Sequence, residues 1–254
     1  MNVFVPQWTP TQIDLFYRIT TDTEMEPGGH WAFSVGDPES WRYEQQLVVP
    51  NGTLLDLGVG HGRSCMSYAL KGMNVVAYDH DTEKLDFLDE LIKDYDLPIQ
   101  INYGDIRYVD FGTNVYDTIL CVDLFVHFPS RYAVFNLLDR ALTALKPGGH
   151  LFVRAVGKED FRYGLYQRDP HVEVVNEDVM RAYCSCSGTY MIENHLFLGQ
   201  TDLLQYFLLQ GLEIVYSRIM PHIGAKNVMF GEDWHSSSGG KDRHGAITHI
   251  VKRP

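Results

Sequence analysis

The chain has 254 residues, 45% of them hydrophobic, and a formal net charge of −12. Its size fits one α/β domain with an extension, and its apolar fraction is ordinary for a packed core. The acidic charge argues against nucleic acid as a partner, because phosphate contacts need clustered Lys and Arg side chains. The composition therefore favours a small-molecule substrate.

The sequence shows no signal for export or for a membrane partner. Its first residues lack the basic start and apolar core of a secretory signal, and no apolar stretch reaches the roughly 18 residues that a membrane span needs. Cys65, Cys121, Cys184 and Cys186 have no zinc-ligand spacing, so reduced thiols are expected. We therefore predict a cytoplasmic protein, and the sequence does not indicate its oligomeric state.

The first predicted elements lie before and within an alternating region. Residues 1–49 are expected to form a helical or lid-like segment, with a short helix at Glu39–Val48. From Thr53 to Val156, short apolar runs alternate with amphipathic stretches, which is typical of a parallel sheet covered by helices. The runs predict five strands, at Thr53–Leu57, Asn74–Tyr78, Ile99–Tyr103, Asp117–Val122 and His150–Ala155.

Helices are predicted between these strands and after them. Apolar spacing, serine and threonine caps and terminal glycines set their limits. The predicted helices run from the glycine-rich loop to Gly72, over Thr82–Tyr95, weakly within Ile106–Asn114, over Ser130–Leu145 and over Thr201–Gln210.

Two further strands complete the predicted sheet, Glu213–Ile219 and Ala246–Lys252, the last reached by a long loop that suits an antiparallel insertion. The expected fold is α/β: a Rossmann-like, doubly wound, mostly parallel seven-stranded sheet with an antiparallel last strand. We assign residues 50–254 to this domain. Within it, residues 157–199 have weak periodicity and are expected to form a substrate-side insertion.

The stretch "LLDLGVGHGRSC", Leu54 to Cys65, has three glycines within five positions after an apolar strand. It lacks the lysine of a phosphate-binding loop, and Arg63 stands where a dinucleotide fingerprint has its third glycine. Asp56, two residues before the first glycine, would repel a pyrophosphate and attract an ammonium or sulfonium group. The loop is therefore predicted to hold a cationic ligand, although the NAD interpretation survives.

Two more carboxylates follow the next two strands. Asp79 ends the second strand, where an acid can accept hydrogen bonds from the ribose hydroxyls of an adenosine, as in NAD sites. Asp105 follows the third strand, where an adenine amino group would need an acceptor. Each carboxylate has a simpler interpretation as the cap of the following helix.

Five stretches, in chain order, resemble the motifs of the class I S-adenosylmethionine-dependent methyltransferases. They are "LLDLGVGHGRS", "VVAYDHD", "YGDI", "YDTILCVDLFVHF" and "ALKPGGHLFV", and they cover roughly residues 50 to 156. The run from the glycine loop through the second motif is especially similar to the tellurite-resistance branch. That resemblance implies S-adenosylmethionine as cofactor, S-adenosylhomocysteine as product and a small nucleophile as acceptor.

The resemblance also implies roles for individual residues in cofactor binding. Asp56 would meet the ammonium group of the cofactor, Asp79 and the neighbouring His80 would contact the ribose, and Asp105 with Ile106 would frame adenine. Gly58, Gly60 and Gly62 would let the backbone approach the methionine part, and Cys121 and Asp123 would line the place where the methyl group is delivered.

Methyl transfer is an in-line displacement, so positioning and exclusion of water can accomplish much of it. His127 in "DLFVHFP" is the candidate base, with Asp123 the other catalytic candidate; plain packing is the alternative for His127. Arg154 could hold a carboxylate or another anion on the substrate, whereas a surface salt bridge is expected for Arg162.

Aromatic residues flank the predicted core and could cover the sulfonium by cation–π attraction, with packing an equal alternative. They are Trp31, Phe33, Phe161, Tyr163 and Tyr166. No metal site is predicted, because a flexible polar loop explains Glu232, Asp233, His235 and His244 better than metal binding.

Alternative functions stay open at this point. A protein methyltransferase, a non-catalytic S-adenosylmethionine-binding protein and an NAD-dependent oxidoreductase are all compatible with the sequence. A nucleic-acid amino-methyltransferase is disfavoured, because the chain has "CVDLFVHF" in place of the Asn/Asp-Pro-Pro-aromatic stretch of those enzymes.

Overall fold

The computed structural model describes residues 9–11, 14, 41–158, 163, 167, 172–186, 189–219 and 246–254. Its strands are β1 (Thr53–Leu57), β2 (Asn74–Asp79), β3 (Ile99–Tyr103), β4 (Tyr116–Val122), β5 (Leu145–Val156), β6 (Val172–Val174), β7 (Val179–Cys186), β8 (Thr189–Leu196), β9 (Glu213–Ile219) and β10 (Ala246–Lys252). Its helices are α1 (Trp41–Glu44), α2 (Arg63–Ala69), α3 (Thr82–Tyr95), α4 (Arg131–Ala144) and α5 (Gln200–Leu209), with 3-10 turns at Gln45–Leu47 and Phe125–His127.

Seven strands form one sheet in the order β3-β2-β1-β4-β5-β10-β9. Strands β1 to β5 are mutually parallel, and β10 runs antiparallel to both β5 and β9. The predicted fold class is confirmed, including the antiparallel last strand.

Helices cover both faces of the sheet because each presents one apolar face. On one face α4 and α5 bury Leu138 and Phe207 against the sheet. On the other, α2 and α3 bury Met66 and Leu88. Full burial of one such side chain stabilises the fold by about 2 kcal/mol, so these two layers fix the sheet that carries the site.

Local capping explains why several helix boundaries were predictable. Helix α3 starts where the Asp81 carboxylate accepts the Lys84 N–H, and α4 where the Ser130 hydroxyl accepts the Ala133 N–H. Such side-chain caps satisfy backbone donors that the first helical turn leaves unpaired. Both helices therefore begin within a residue of their predicted starts.

One predicted element is wrong, and several limits differ. The stretch Ile106–Asn114 forms turns instead of a helix, since Gly112 (φ 81°) and Asn114 (φ 55°) adopt left-handed conformations. Helix α2 ends at Ala69, before the predicted Gly72. Strand β5 starts at Leu145 because that residue already pairs with Tyr116 of β4.

The region 157–199 contains a second sheet that the sequence did not place. Strands β6, β7 and β8 form it in that order, each antiparallel to the next. A bridge between Gly157 and Leu198 and a hydrogen bond from the Lys158 N–H to the Leu198 carbonyl (3.1 Å) join the end of the small sheet to the segment after β5. The small sheet is thus attached where β5 ends.

An ion cluster also anchors this small sheet. The Asp178 carboxylate accepts hydrogen bonds from Arg131 Nε (2.5 Å) and Nη2 (2.6 Å), and Lys158 Nζ lies 2.7 Å from it. Arg131 starts α4, and Lys158 follows β5. The turn between β6 and β7 is therefore fixed to two elements of the main domain.

Among the described residues, no helix is both long enough and apolar enough to cross a membrane.

Candidate functional site

The carboxyl ends of the parallel strands bring the predicted site residues to one edge of the sheet. Asp56 lies within β1, Asp79 ends β2, Asp105 follows β3 and Asp123 follows β4, while Arg154 lies near the end of β5. Ligands of open α/β sheets bind at this edge, where the strand order reverses. Here the reversal falls between β1 and β4.

The glycine-rich loop adopts conformations that explain two of its glycines. Gly62 has φ +86°, and a Cβ there would lie 2.5 Å from Leu88 Cδ1, so this glycine is needed for packing on α3. Gly60 has φ +54°, with nothing within 4 Å of a Cβ position. Open space beside Gly60 leaves room for a ligand to approach the backbone.

The loop directs its N–H groups at the protein itself. The N–H groups of Gly58 and Val59 both donate to the Tyr78 carbonyl, and the Gly60 N–H donates to Asp79 Oδ2 at 2.8 Å. A phosphate-binding loop keeps such donors for its anion. This geometry disfavours a pyrophosphate ligand and, with it, NAD.

Asp56 is buried and incompletely partnered. The residue is 2% exposed, and its Oδ2 atom has no hydrogen-bond partner. Burial, with repulsion from Asp79 as a second cause, raises the pKa of Asp56 to about 7. A buried carboxylate without a donor for one oxygen is suited to an ammonium group that brings its own N–H bonds.

Asp79 links the glycine loop to the start of α3. Besides holding Gly60, its carboxylate accepts the N–H groups of His80 (2.7 Å) and Asp81 (3.0 Å). The His80 ring is 84% exposed and lies 3.3 Å from the same carboxylate. A carboxylate has about four lone-pair positions, so Asp79 retains capacity for about one further donor, such as a ribose hydroxyl.

Asp105 and Ile106 lie beyond β3 and differ in exposure. Ile106 is buried, whereas Asp105 is partly exposed and accepts hydrogen bonds from Arg107 Nε (2.9 Å) and Nη2 (2.5 Å). Hydrogen bonding from Arg107 holds the pKa of Asp105 below its usual value. The carboxylate is therefore ionised and able to accept a hydrogen bond.

At the other half of the carboxyl edge, a backbone hydrogen bond joins the ends of β4 and β5. Asp123 has φ +52°, and its N–H donates to the Arg154 carbonyl at 2.9 Å. Arg154 is 4% exposed, with Nε 3.4 Å from Asp123 Oδ1. Cys121 lies deeper: its side chain is fully buried in the core, and burial raises the pKa of its thiol.

His127 and Tyr163 occupy different surroundings. His127 is exposed at the end of the 3-10 turn after β4. The Tyr163 hydroxyl donates to the Glu177 carbonyl at 2.9 Å, and its ring packs on Phe197 at 5.4 Å between centroids. Tyr163 thus contacts the small sheet.

Several predicted residues lie outside the described residues. They are Trp31, Phe33, Phe161, Arg162, Tyr166, Glu232, Asp233, His235 and His244. Within the described ranges, no group of three His, Cys, Asp or Glu side chains is arranged to hold a metal ion.

Sequence reasoning missed the residues that long-range pairing brings to this edge. Thr248, opposite Arg154 on β10, is fully buried, and its hydroxyl has no partner. Asp178 anchors the small sheet from a stretch that carried no recognisable pattern. Only knowledge of the strand pairing could have identified either residue.

The seven-stranded sheet, the glycine loop after β1 and the acid at the end of β2 together form a class I methyltransferase fold. Residues 54–149 match the family described as "Methyltransferase domain". The predicted resemblance to class I S-adenosylmethionine-dependent methyltransferases is confirmed, and the domain that these residues match is an enzyme domain.

Individual relatives agree with this assignment. The chain is 31% identical over 114 residues to the probable S-adenosyl-L-methionine-dependent methyltransferase TehB of Haemophilus influenzae. The match covers 44% of this chain and 39% of TehB, so the chain spans about two fifths of the length of that relative. The similarity to the tellurite-resistance branch is thereby confirmed for the shared region.

Solved structures support the fold over a larger share of the chain. A SAM-dependent methyltransferase from Methanosarcina mazei has a TM-score of 0.66 at 16% identity, covering 83% of this chain and 96% of that one. The 1,6-didemethyltoxoflavin-N1-methyltransferase of Burkholderia thailandensis, solved with bound 1,6-didemethyltoxoflavin and S-adenosylhomocysteine, has a TM-score of 0.59 at 14% identity, covering 98% of this chain and 92% of that one. At these identities the likeness establishes the fold.

Proposed function

We propose that the protein transfers the methyl group of S-adenosylmethionine to a small-molecule acceptor by in-line displacement and releases S-adenosylhomocysteine. The observation that carries the proposal is the buried Asp56 carboxylate, whose Oδ2 has no partner. It lies at the base of a glycine loop whose first N–H groups are already bonded to β2. This combination suits a ligand whose nearest group is a cation.

The proposed cofactor site follows the edge from β1 to β4. Asp56 would bind the ammonium group, Gly60 would let the ligand approach the loop, and Asp79 with His80 would bind the ribose. Asp105 and Ile106 would hold adenine between an acceptor and an apolar side chain. The remaining cofactor residues of the proposal are Gly58, Gly62 and Cys121, which shape the loop and the floor from within the core.

When bound, the cofactor supplies an electrophilic methyl group on a sulfonium. The work of this chain is then to orient the acceptor in line with it and to exclude water. Where the acceptor carries a proton, His127 or Asp123 would take it, since both lie in the short segment that follows β4. No covalent protein intermediate is required.

We further propose that two segments outside the sheet serve the acceptor. Residues 1–49 would act as a lid, and residues 157–199 as the substrate-side insertion of a domain that runs from 50 to 254. The position of residues 157–199 supports this role for the insertion. Strand β8 packs against the Phe125–His127 turn, and Tyr163 contacts Phe197, the residue directly after β8. Trp31, Phe33 and Tyr166 would contribute aromatic contacts.

The remaining features of the proposal concern partners and location. The charge of −12 supports a free small molecule over nucleic acid. The thiols of Cys65 and Cys121 are free and buried, as expected in a reducing compartment. We propose a cytoplasmic protein without a membrane partner on this basis.

Calorimetric titration with S-adenosylmethionine, S-adenosylhomocysteine and NAD tests the cofactor. We expect micromolar affinity for the two sulfur compounds and no binding of NAD. Binding of NAD alone would overturn the proposal in favour of an oxidoreductase.

Catalysis needs a second measurement, because binding alone does not distinguish an enzyme from a binding protein. The protein is incubated with a small-molecule extract and methyl-labelled S-adenosylmethionine, and both the label on the acceptor and the release of unlabelled S-adenosylhomocysteine are followed. An enzyme is expected to form many molecules of each product per protein molecule, in equal amounts. Tight cofactor binding with no product would favour a non-catalytic binding protein.

A further inference from the structure

We propose that the acceptor carries a carboxylate or another oxyanion, which Arg154, Thr248 and Arg218 bind where the carboxyl ends of β5 and β9 flank the amino end of the antiparallel β10. The proposal rests on the methyltransferase function above, because it names the class of acceptor for that site. It concerns the half of the edge that lies beyond the proposed cofactor residues.

Strand register places these three residues in one row. Arg154 pairs with Thr248 across β5 and β10, and Thr248 pairs with Arg218 across β10 and β9. Directly paired residues project from the same face of a sheet. Neighbouring strands are about 4.8 Å apart, so the two arginine backbones are roughly 10 Å apart, within reach of one small anion.

Thr248 supplies the clearest sign that a ligand belongs here. The residue is 0% exposed, and its hydroxyl has no hydrogen-bond partner. Buried polar groups are nearly always bonded, because an unsatisfied one loses its bonds to water without replacement. A hydroxyl between two arginines in one row is well placed to donate to a bound oxyanion.

Arg154 has unused donor capacity in a buried position. It is 4% exposed, and in the described part of the chain its ion-pair partner is Asp123, reached through Nε at 3.4 Å. A guanidinium has five N–H donors in a planar fork. Asp123 engages the Nε side, which leaves the two Nη groups for the bidentate geometry that a carboxylate prefers.

The charge balance of the row favours an anion. Arg154 and the half-buried Arg218 both carry a positive charge, and Arg154 is paired with Asp123. The protein as a whole carries a charge of −12, so this row is a local exception. A buried arginine is costly unless its charge is compensated, and a bound oxyanion would complete that compensation.

The row is also correctly placed to orient an acceptor. The Asp123 N–H donates to the Arg154 carbonyl, so the ends of β4 and β5 are joined at this point. Asp123 lies where we place the reacting atoms. An acceptor held by its anionic group at Arg154 would therefore present another part of itself to the methyl group.

Binding of a matched pair of probes tests the proposal. The protein, saturated with S-adenosylhomocysteine, is titrated with benzoate and with benzamide, which has the same ring but no charge. We expect benzoate to bind at least about tenfold more tightly, as expected for one charge-assisted bidentate contact. Equal affinities, or no binding of benzoate, would overturn the proposal.

Variants assign the difference to the row. Arg154→Gln and Arg218→Gln should each weaken benzoate binding about tenfold, and Thr248→Val, which keeps the side-chain shape, should weaken it about threefold. Lys93→Gln removes a remote exposed charge on α3 and should change nothing. Full benzoate affinity in Arg154→Gln and Thr248→Val would show that the row is not the site.

A separate readout distinguishes this proposal from the proposed function. The labelled product formed from the small-molecule extract is passed over an anion exchanger, and retention is expected. An unretained product would leave the methyltransferase standing and overturn the anionic acceptor. Failure to bind S-adenosylhomocysteine at all would instead remove the function on which the inference rests.

Discussion

The two halves of the sheet's carboxyl edge are built in opposite ways. The proposed cofactor half consists of the ends of β1, β2 and β3 with the glycine loop, and its charged groups include the carboxylates Asp56, Asp79 and Asp105. The acceptor half consists of the ends of β4, β5, β10 and β9, where Arg154 and Arg218 lie in one row. One half is suited to a cation and the other to an anion.

The halves also differ in how the chain assembles them. The proposed cofactor half comes from about fifty consecutive residues in three strand–loop units, each of which carries its own acid at or near the end of its strand. The acceptor half draws on residues from Asp123 to Thr248, joined by strand pairing and by the Asp178 cluster. Local sequence can therefore fix the first half, whereas the second depends on how distant segments pair.

The largest expected difference between the halves is in their response to pH. His249 lies on β10, and neither of its ring nitrogens has a hydrogen-bond partner. Burial lowers the pKa of His249 from 6.5 to about 4. The unfolded chain then binds the extra proton between those values, so His249 costs stability as pH falls from about 6.5 to about 4. The pKa of Asp56 is raised from 3.8 to about 7, so the unfolded chain loses this proton first. Asp56 therefore costs stability as pH rises from 3.8 to about 7.

Urea unfolding at pH 5 and pH 8 reveals both effects. Relative to wild type, His249→Leu should lose about 2 kcal/mol of unfolding free energy between pH 5 and pH 8, and Asp56→Asn should gain about 2 kcal/mol. Asp89→Asn alters an exposed carboxylate and serves as the control. Parallel pH profiles for all four proteins would contradict the buried, unpaired state of both groups.

Substitution of Asp79 should weaken cofactor binding at the proposed cofactor half. Asp79→Ala is expected to lower S-adenosylhomocysteine affinity about a hundredfold, because it removes the proposed ribose contact and the acceptor for Gly60. Calorimetric titration measures this loss, and Asp89→Ala is the matched control. Unchanged affinity in a folded Asp79→Ala variant would falsify the proposed cofactor site.

Substitution of Asp178 should loosen the small sheet β6–β8, which we propose serves the acceptor, while sparing the proposed cofactor half. Asp178→Asn removes the charge that joins Arg131 and Lys158, so amide exchange in β6 to β8 should become about tenfold faster. Affinity for S-adenosylhomocysteine should not change.

Glu177→Gln provides the control for that experiment, because Glu177 is 75% exposed and contacts the same Arg131. An exposed ion pair contributes little to stability. Equal exchange rates in the two variants would show that the Asp178 cluster does not anchor the small sheet.

The smallest expected effect concerns His127. His127→Ala should lower the rate of methyl transfer about fivefold and leave cofactor affinity intact. We expect less than the usual effect of losing a general base, since His127 is exposed and water can replace it. A rate equal to that of wild type would exclude His127 as the base.

Particular elements show how far the sequence alone could lead. Strands β1, β3, β9 and β10 and helix α3 have their predicted limits, because apolar periodicity and caps such as Asp81 are local properties. The predicted helix within Ile106–Asn114 is absent, since two left-handed residues interrupt it. Sheet β6–β8 went unplaced, because its stability comes from pairing and anchoring and its own pattern is weak.

The sequence by itself determined the class of fold and the acids of the proposed cofactor half, since each acid lies at or near the end of its own strand. Only the tertiary structure decided that Thr248 lies beside Arg154, that Asp178 holds the small sheet and that Asp56 Oδ2 lacks a partner. Periodicity reports which face of a segment is buried. The choice of partner segment depends on packing and hydrogen bonding across the whole sheet, which no local pattern encodes.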